Sequence, residues 1–341
     1  MRRKLYLHIG VHRTGTTSIQ RFLRGNTAAL GLRGVLNPDG RARHHLLAGR
    51  ILGGQLDAVV AELNAQADAV AGGPVGTIVL SDEDLCTRTD MARLARLSEH
   101  FDVRVILFIR RQDLWLESWY RQNVKWQWNR DLAHLTFPEF LARRRTFFWI
   151  DYDATVTRLE QLFGAAAVEV LVFEAAAMPG GPVAAFARAI GLDSLEGLVT
   201  GQHDNASRTA LTTEFMRQLP LDEFPDRSRR LVEEACAKVD WHVRQHYGAQ
   251  SPYYMDAATR AAVMADHAPG NAALAQRRFG RAALFADPLP PADAALAPTA
   301  LPDDAAALMQ VFVAPMLRHL IARGPEKAAT EDAAVDEHGP D

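Results

Sequence analysis

Apolar residues in the first half of this chain fall into short unbroken runs separated by polar turns. Leu5 to Ile9 is such a run, and a glycine-containing turn follows it. So short and uniform a run predicts a strand buried on both faces. Thr77-Ile78-Val79-Leu80, Val103 to Ile109 and Val168 to Phe173 repeat the pattern. Between these runs the period changes to that of a helix. Ile19, Phe22 and Leu23 share one helical face, and Leu56 to Val70 is alanine-rich and closes on Gly72-Gly73-Pro74. Met91 to His100 reads as a helix, another starts near Leu114, and Asp153 to Phe163 is helical, with Asp153 as N-cap and Gly164 at its end. Strands alternating with helices over short connections predict an α/β fold, with a mostly parallel central sheet flanked by helices on both faces.

Beyond about residue 180 the pattern becomes mainly helical. It predicts one domain over 1–324, with a nucleotide-binding α/β core in 1–175 and a helical acceptor-side part in 176–324. Asp287 to Pro302 is rich in Pro and Ala and reads as an ordered arm. A last helix is expected from Asp303 to Arg323, kinked at Pro315. The acidic segment 325–341 is expected to be a disordered tail.

Charge sharpens the picture. The whole chain of 341 residues carries a formal net charge of −3, which excludes a general polyanion binder, so no nucleic-acid partner is expected. The distribution is uneven. Residues 1–50 hold ten Arg or Lys against one acid, Asp39, and residues 101–150 hold nine against five. Positive charge concentrated in the N-terminal third suits a small anionic ligand. Cys86 and Cys236 match no metal spacing and imply no disulfide framework, so the cytoplasm is the expected location. No uninterrupted apolar stretch of about 18 residues occurs, and stable membrane insertion is not expected. The histidines form no H-E-x-x-H or comparable pattern, and no metal is called for.

The most informative segment is Gly10-Val11-His12-Arg13-Thr14-Gly15-Thr16-Thr17-Ser18, between the first strand and the first helix. A loop there aims successive N–H groups at one point and adds the positive end of the helix dipole. Gly15 allows close approach of an anion, the hydroxyls of Thr14, Thr16, Thr17 and Ser18 add donors, and Arg13 adds a fixed charge. Gly10 and Gly15 have the spacing of a nucleotide P-loop, but Thr16 stands where that motif demands Lys.

This loop resembles the 5′-phosphosulfate loop of sulfotransferases that use 3′-phosphoadenosine 5′-phosphosulfate (PAPS), especially bacterial members with Lys-Thr-Gly-Thr-Thr-Ser. Arg13 stands in place of the usual Lys, keeping the charge but losing the ability to donate a proton. The resemblance implies a P-loop-like sulfotransferase fold, PAPS as co-substrate, and contacts from His12 and Arg13 through Ser18 to the nucleotide's 5′ end. A second likeness supports it. Arg110 ends the third strand and Ser118 follows eight residues later, as in the family's 3′-phosphate site. Leu80 to Leu85, Val170 to Glu174, Asp204-Asn205-Ala206-Ser207, and Asn271 through Arg278 with Leu284-Phe285 resemble the family more loosely.

Arg13, Glu83 and His45 are the catalytic candidates. Arg13 would stabilise charge on the transferring group. Glu83, just past a strand end, is the first choice of base, and His45, beside His44, the second. The acceptor is a hydroxyl or amine on a carbohydrate, glycolipid or small molecule; oligomeric state stays open. Aromatic residues between Trp115 and Trp149 offer faces for stacking. Two other readings stand beside this one: a P-loop kinase using ATP, with Asp82 or Asp84 for the metal, and a non-catalytic nucleotide- or glycan-binding protein with the same fold.

Overall fold

A computed structural model describes residues 2–201 and 207–323. Asp204, Asn205 and Ala206, and the segment 325–341, therefore lie outside the described residues. The four expected strands are present as β1 (Lys4–His8), β3 (Thr77–Ser81), β4 (Asp102–Ile109) and β5 (Val168–Val172). A fifth, β2 (Val35–Leu36), is two residues long and leaves too little pattern to be read from sequence. All pairings are parallel, in the order β2-β3-β1-β4-β5. All five strands therefore end on the same edge.

Alternate residues of each strand face opposite cores. Leu5, Leu7, Val105 and Leu107 enter the larger core, whereas Tyr6, Val79, Ile106 and Phe108 enter the smaller one. Helices cover both faces, as the alternating pattern requires. The principal ones are α1 (Thr16–Gly25), α2 (His45–Leu52), α3 (Leu56–Asp68), α4 (Gln112–Trp126), α5 (Tyr152–Phe163), α6 (Gly181–Ala189), α7 (Ala210–Arg217), α8 (Asp226–Tyr247), α9 (Ala257–Leu274) and α10 (Ala305–Arg323). The part after β5 is helical, as expected.

Several boundaries move. Met91 to His100 breaks into a short helix, Ala92–Ala95, and a 3₁₀ turn, Arg96–Glu99. α5 begins one residue earlier than expected, with Asp151 as N-cap, and Asp153 instead binds Arg277 at 2.5 Å. In α10 a π-turn, Leu308–Val313, precedes Pro315. It absorbs the missing N–H and the ring clash, so the helix continues through the proline. α10 is also long and apolar enough to cross a membrane by length and composition. Gln310, Arg318 and His319 interrupt its apolar residues, so it is no uninterrupted apolar run in the sequence.

The Pro/Ala-rich arm is tied to the sheet. Glu174, at the end of β5, accepts from the Ala286 and Asp287 N–H groups at 2.9 and 3.1 Å. Arg111 donates to the Asp287 and Pro288 carbonyls at 2.7 and 2.9 Å.

Candidate functional site

The loop after β1 is held before it reaches the helix. Val11 donates to the Phe108 carbonyl at 2.8 Å and Phe108 donates back to the Gly10 carbonyl at 2.6 Å. The β1–β4 ladder thus runs on into the loop. The buried indole of Trp115 donates to the His12 carbonyl at 2.8 Å, and Thr14 Oγ1 donates to the Val11 carbonyl at 2.6 Å. Arg13 (φ 65°) and Gly15 (φ 83°) both adopt left-handed backbone. Gly15 is required for a further reason: a Cβ there would stand 2.6 Å from Pro182 Cγ on α6. The side of this glycine where a Cβ would stand is thus filled by helix packing, a second reason for glycine here that the sequence does not show.

The turn ends at the N-terminus of α1. Among the described residues no group accepts from the N–H groups of Gly15, Thr16 or Thr17. The Ser18 N–H is spent on the Gly15 carbonyl at 3.0 Å, which leaves Ser18 its hydroxyl. Free donors at a helix start, next to a cation, form an anion cradle.

The two separated motifs meet here. Arg13 Nε donates to Ser118 Oγ at 2.8 Å and its Nη1 to Gln122 Oε1 at 3.0 Å. Arg110 Nη1 donates to the Arg13 carbonyl at 3.0 Å, and its guanidinium lies 5.5 Å from the centre of the Phe173 ring. The Arg110 backbone is gripped at both ends by one buried hydroxyl. Tyr152 Oη accepts from the Arg110 N–H at 3.2 Å and donates to its carbonyl at 2.6 Å.

Among the described residues no carboxylate lies within ion-pair distance of Arg13, Arg110 or Arg121. Burial, then repulsion from neighbouring arginines, lowers the pKa of Arg13 and of Arg110 to about 10. Arg111 shows the contrast. It pairs with Asp113 at 2.7 Å, and Asp113 in turn pairs with Arg260. Of two adjacent arginines Arg111 is neutralised within the core, whereas Arg110 has no carboxylate at that distance among the described residues.

Of Arg13, Arg110 and Ser118, Arg13 alone lines a cleft of about 290 Å³, together with Thr17, Arg121, Gln122, Lys125 and Arg208, among others; Arg110 and Ser118 lie behind Arg13 and are not among its lining residues. Gln122, Lys125 and Arg208 were not foreseen. Gln122 and Lys125 follow Ser118 on one face of α4, at i+4 and i+7, a signal available once Ser118 is chosen. Glu233 of α8 pairs with both Lys125 (3.0 Å) and Arg208 (2.5 Å). At the rim Trp126 and Trp128 stack at 5.3 Å with planes 3° apart, and Trp128 is 61% exposed.

Comparison with known proteins gives limited likeness. No family model matches the sequence. An uncharacterized protein of Archaeoglobus fulgidus is 31% identical over 117 residues, which is 34% of this chain and 30% of that protein. The match thus spans under a third of that relative's length. A sulfotransferase from Alicyclobacillus acidocaldarius, known from a crystal structure, aligns over 67% of this chain and 100% of its own, at 19% identity and a TM-score of 0.36.

The remaining candidates sit around the loop rather than in the cleft. His12 packs on Trp119, with ring centres 4.8 Å apart, and its Nε2 meets Asp84 at 2.8 Å. Burial opposes its charge, but Cys86, Asp84 and Glu83 outweigh that and raise its pKa to about 10. Glu83 lies beside Gly10, accepts from Gln20, and has Arg43 at 3.7 Å. His45 opens α2, with a buried Nδ1 that has no partner. Neither lines the cleft around Arg13. His44 is structural: its Nδ1 accepts from the Ser81 N–H at 3.0 Å, and burial lowers its pKa to about 4. Trp115, Tyr120 and Phe147 are core residues, and Phe148 borders a separate groove with Arg158.

Proposed function

We propose that this chain transfers a sulfuryl group from PAPS to an acceptor hydroxyl or amine. The observation that carries the reading is the meeting of Arg13, Arg110 and Ser118. Residues about a hundred positions apart converge into one cationic cluster that has no carboxylate partner among the described residues. Such a cluster is costly in a free protein and is repaid by an anion. A nucleotide with phosphates at both 3′ and 5′ positions uses both motifs, whereas an ordinary nucleotide uses one.

Sulfuryl transfer follows the logic of in-line displacement, with charge spread over equatorial oxygens. In this reading the loop N–H groups and Arg13 hold the 5′ end and stabilise charge as the S–O bond to the phosphate breaks. Arg110 and Ser118 fix the 3′-phosphate and so the line of attack. Arg13 supplies charge but no proton. Glu83 is the proposed base and His45 the second choice. Taking up this role requires Glu83 to exchange its contact with Gln20 or Arg43 for the acceptor. The exposed Trp126–Trp128 stack suits the flat face of a sugar.

The test is thermal stabilisation by 3′,5′-adenosine bisphosphate (PAP) against ADP with Mg²⁺. Stronger stabilisation by PAP supports the reading; stronger stabilisation by ADP with Mg²⁺ favours the kinase. PAP binding without label transfer from PAPS to a panel of glycans and lipid extracts favours the binding protein.

A further inference from the structure

We propose that the face formed by α8 and α10 docks on a lipid bilayer that carries anionic headgroups. α10 runs antiparallel along α8: the Phe312 ring lies 6.4 Å from Tyr247, and Arg323 pairs with Glu234 at 2.9 Å. Counting between these two anchors in the antiparallel sense brings Leu317 level with Trp241. The inner side of α10 is fixed in the core through Val311 and Phe312. Its outer side keeps Met309 57%, Leu317 47% and Ile321 77% exposed, and Trp241 beside it is 57% exposed. Spacings of four and eight residues place the three aliphatic side chains on one stripe.

Leaving such a strip in water costs free energy, and the residues around it indicate what covers it. Lys238 and Arg318 are exposed at its edge. The acid among them, Glu234, is already engaged by Arg323. An apolar strip with a tryptophan and a cationic border is the composition of helices that lie in a membrane interface. A two-fold contact with a second copy would set these cations against each other. Because Val311 and Phe312 hold α10 to the domain, it lies on the bilayer rather than through it. α8 also carries Glu233 at the wall of the cationic cleft. If the function proposed above holds, docking brings that cleft to a lipid-borne acceptor.

The experiment is flotation of the full chain with vesicles of phosphatidylcholine alone and of phosphatidylcholine with phosphatidylglycerol. It needs no sulfuryl transfer and stands apart from the nucleotide test. Binding to the phosphatidylglycerol vesicles is expected, weakened about tenfold or more by Leu317→Asp with Ile321→Asp. Lys238→Glu with Arg318→Glu should weaken it and flatten its salt dependence. All four positions are at the surface, and circular dichroism checks that the variants fold. Absence of binding by the wild type, or equal binding by the aspartate variant, overturns the proposal. So does a dimer in solution that the aspartates dissociate while vesicle binding stays absent, which would assign the face to a second copy.

Discussion

Replacing Arg110 with methionine separates a binding cation from a structural one. The guanidinium is buried on Phe173, makes one hydrogen bond to the Arg13 carbonyl, and has no carboxylate in ion-pair range among the described residues. Its pKa falls from the ordinary guanidinium range to about 10 through burial and then repulsion from Arg121. That depression corresponds to roughly 3 kcal/mol held against the charged form in the free protein, as an upper bound. Methionine fills similar space without the charge. The free Arg110→Met protein should therefore melt at the same temperature as wild type or a few degrees higher. The loss appears on binding. A charge-assisted contact to a phosphate dianion contributes about 1.5–3 kcal/mol, so PAP affinity should fall roughly tenfold to 150-fold. Calorimetric titration with PAP, with scanning fluorimetry on both free proteins, reads both quantities. A variant that melts several degrees lower yet binds PAP as tightly as wild type would refute the argument and make Arg110 a core residue like Arg111.

Gly15→Ala should destabilise the fold by about 2 kcal/mol or more in chemical denaturation, because φ is 83° and the new Cβ meets Pro182. Stability should drop below neutral pH through two buried imidazoles. His8 and His44 have pKa values lowered by burial to about 3 and about 4, below the 6.5 of the unfolded chain, so each is neutral in the fold while the unfolded form takes up a proton. Their contribution is complete above 6.5 and is lost as pH falls, at about 2 kcal/mol each by about pH 5. His12, raised to about 10, is charged in both states there and adds no slope. A melting series over pH with His8→Asn tests this, since the variant should lose about half of the decline. Glu83→Gln should leave PAP affinity within about threefold of wild type while cutting label transfer from PAPS by about a hundredfold or more. If His45→Gln shows that pattern instead, the roles exchange.

The sheet was legible because each long strand is a run of apolar residues buried on both faces. β2 was not, since two residues carry no period. The phosphate loop was legible through its strand–turn–helix setting and its hydroxyls. The reason for Gly15 was hidden, because Pro182 comes from a helix more than 160 positions away. Nor does sequence separate Arg110 from Arg111: their fates depend on Asp113 and Arg260, which only the fold brings together. The cleft wall from Arg208 was hidden for the same reason, whereas Lys125 lay within reach of the helical spacing from Ser118. The exposed face of α10 escaped because its polar residues interrupt the run and its burial is decided by α8.

Arg13 already commits its Nε and one Nη1 hydrogen to Ser118 and Gln122 before any nucleotide arrives. Entry of a ligand is therefore a trade of partners, and each phosphate must repay the contact it dislodges. A monophosphate makes that exchange at one end only, so selection for the bisphosphate rests on what its second end returns. Crystallisation and assay in sulfate or phosphate buffer would blunt that selectivity, because a free anion can settle the exchange first.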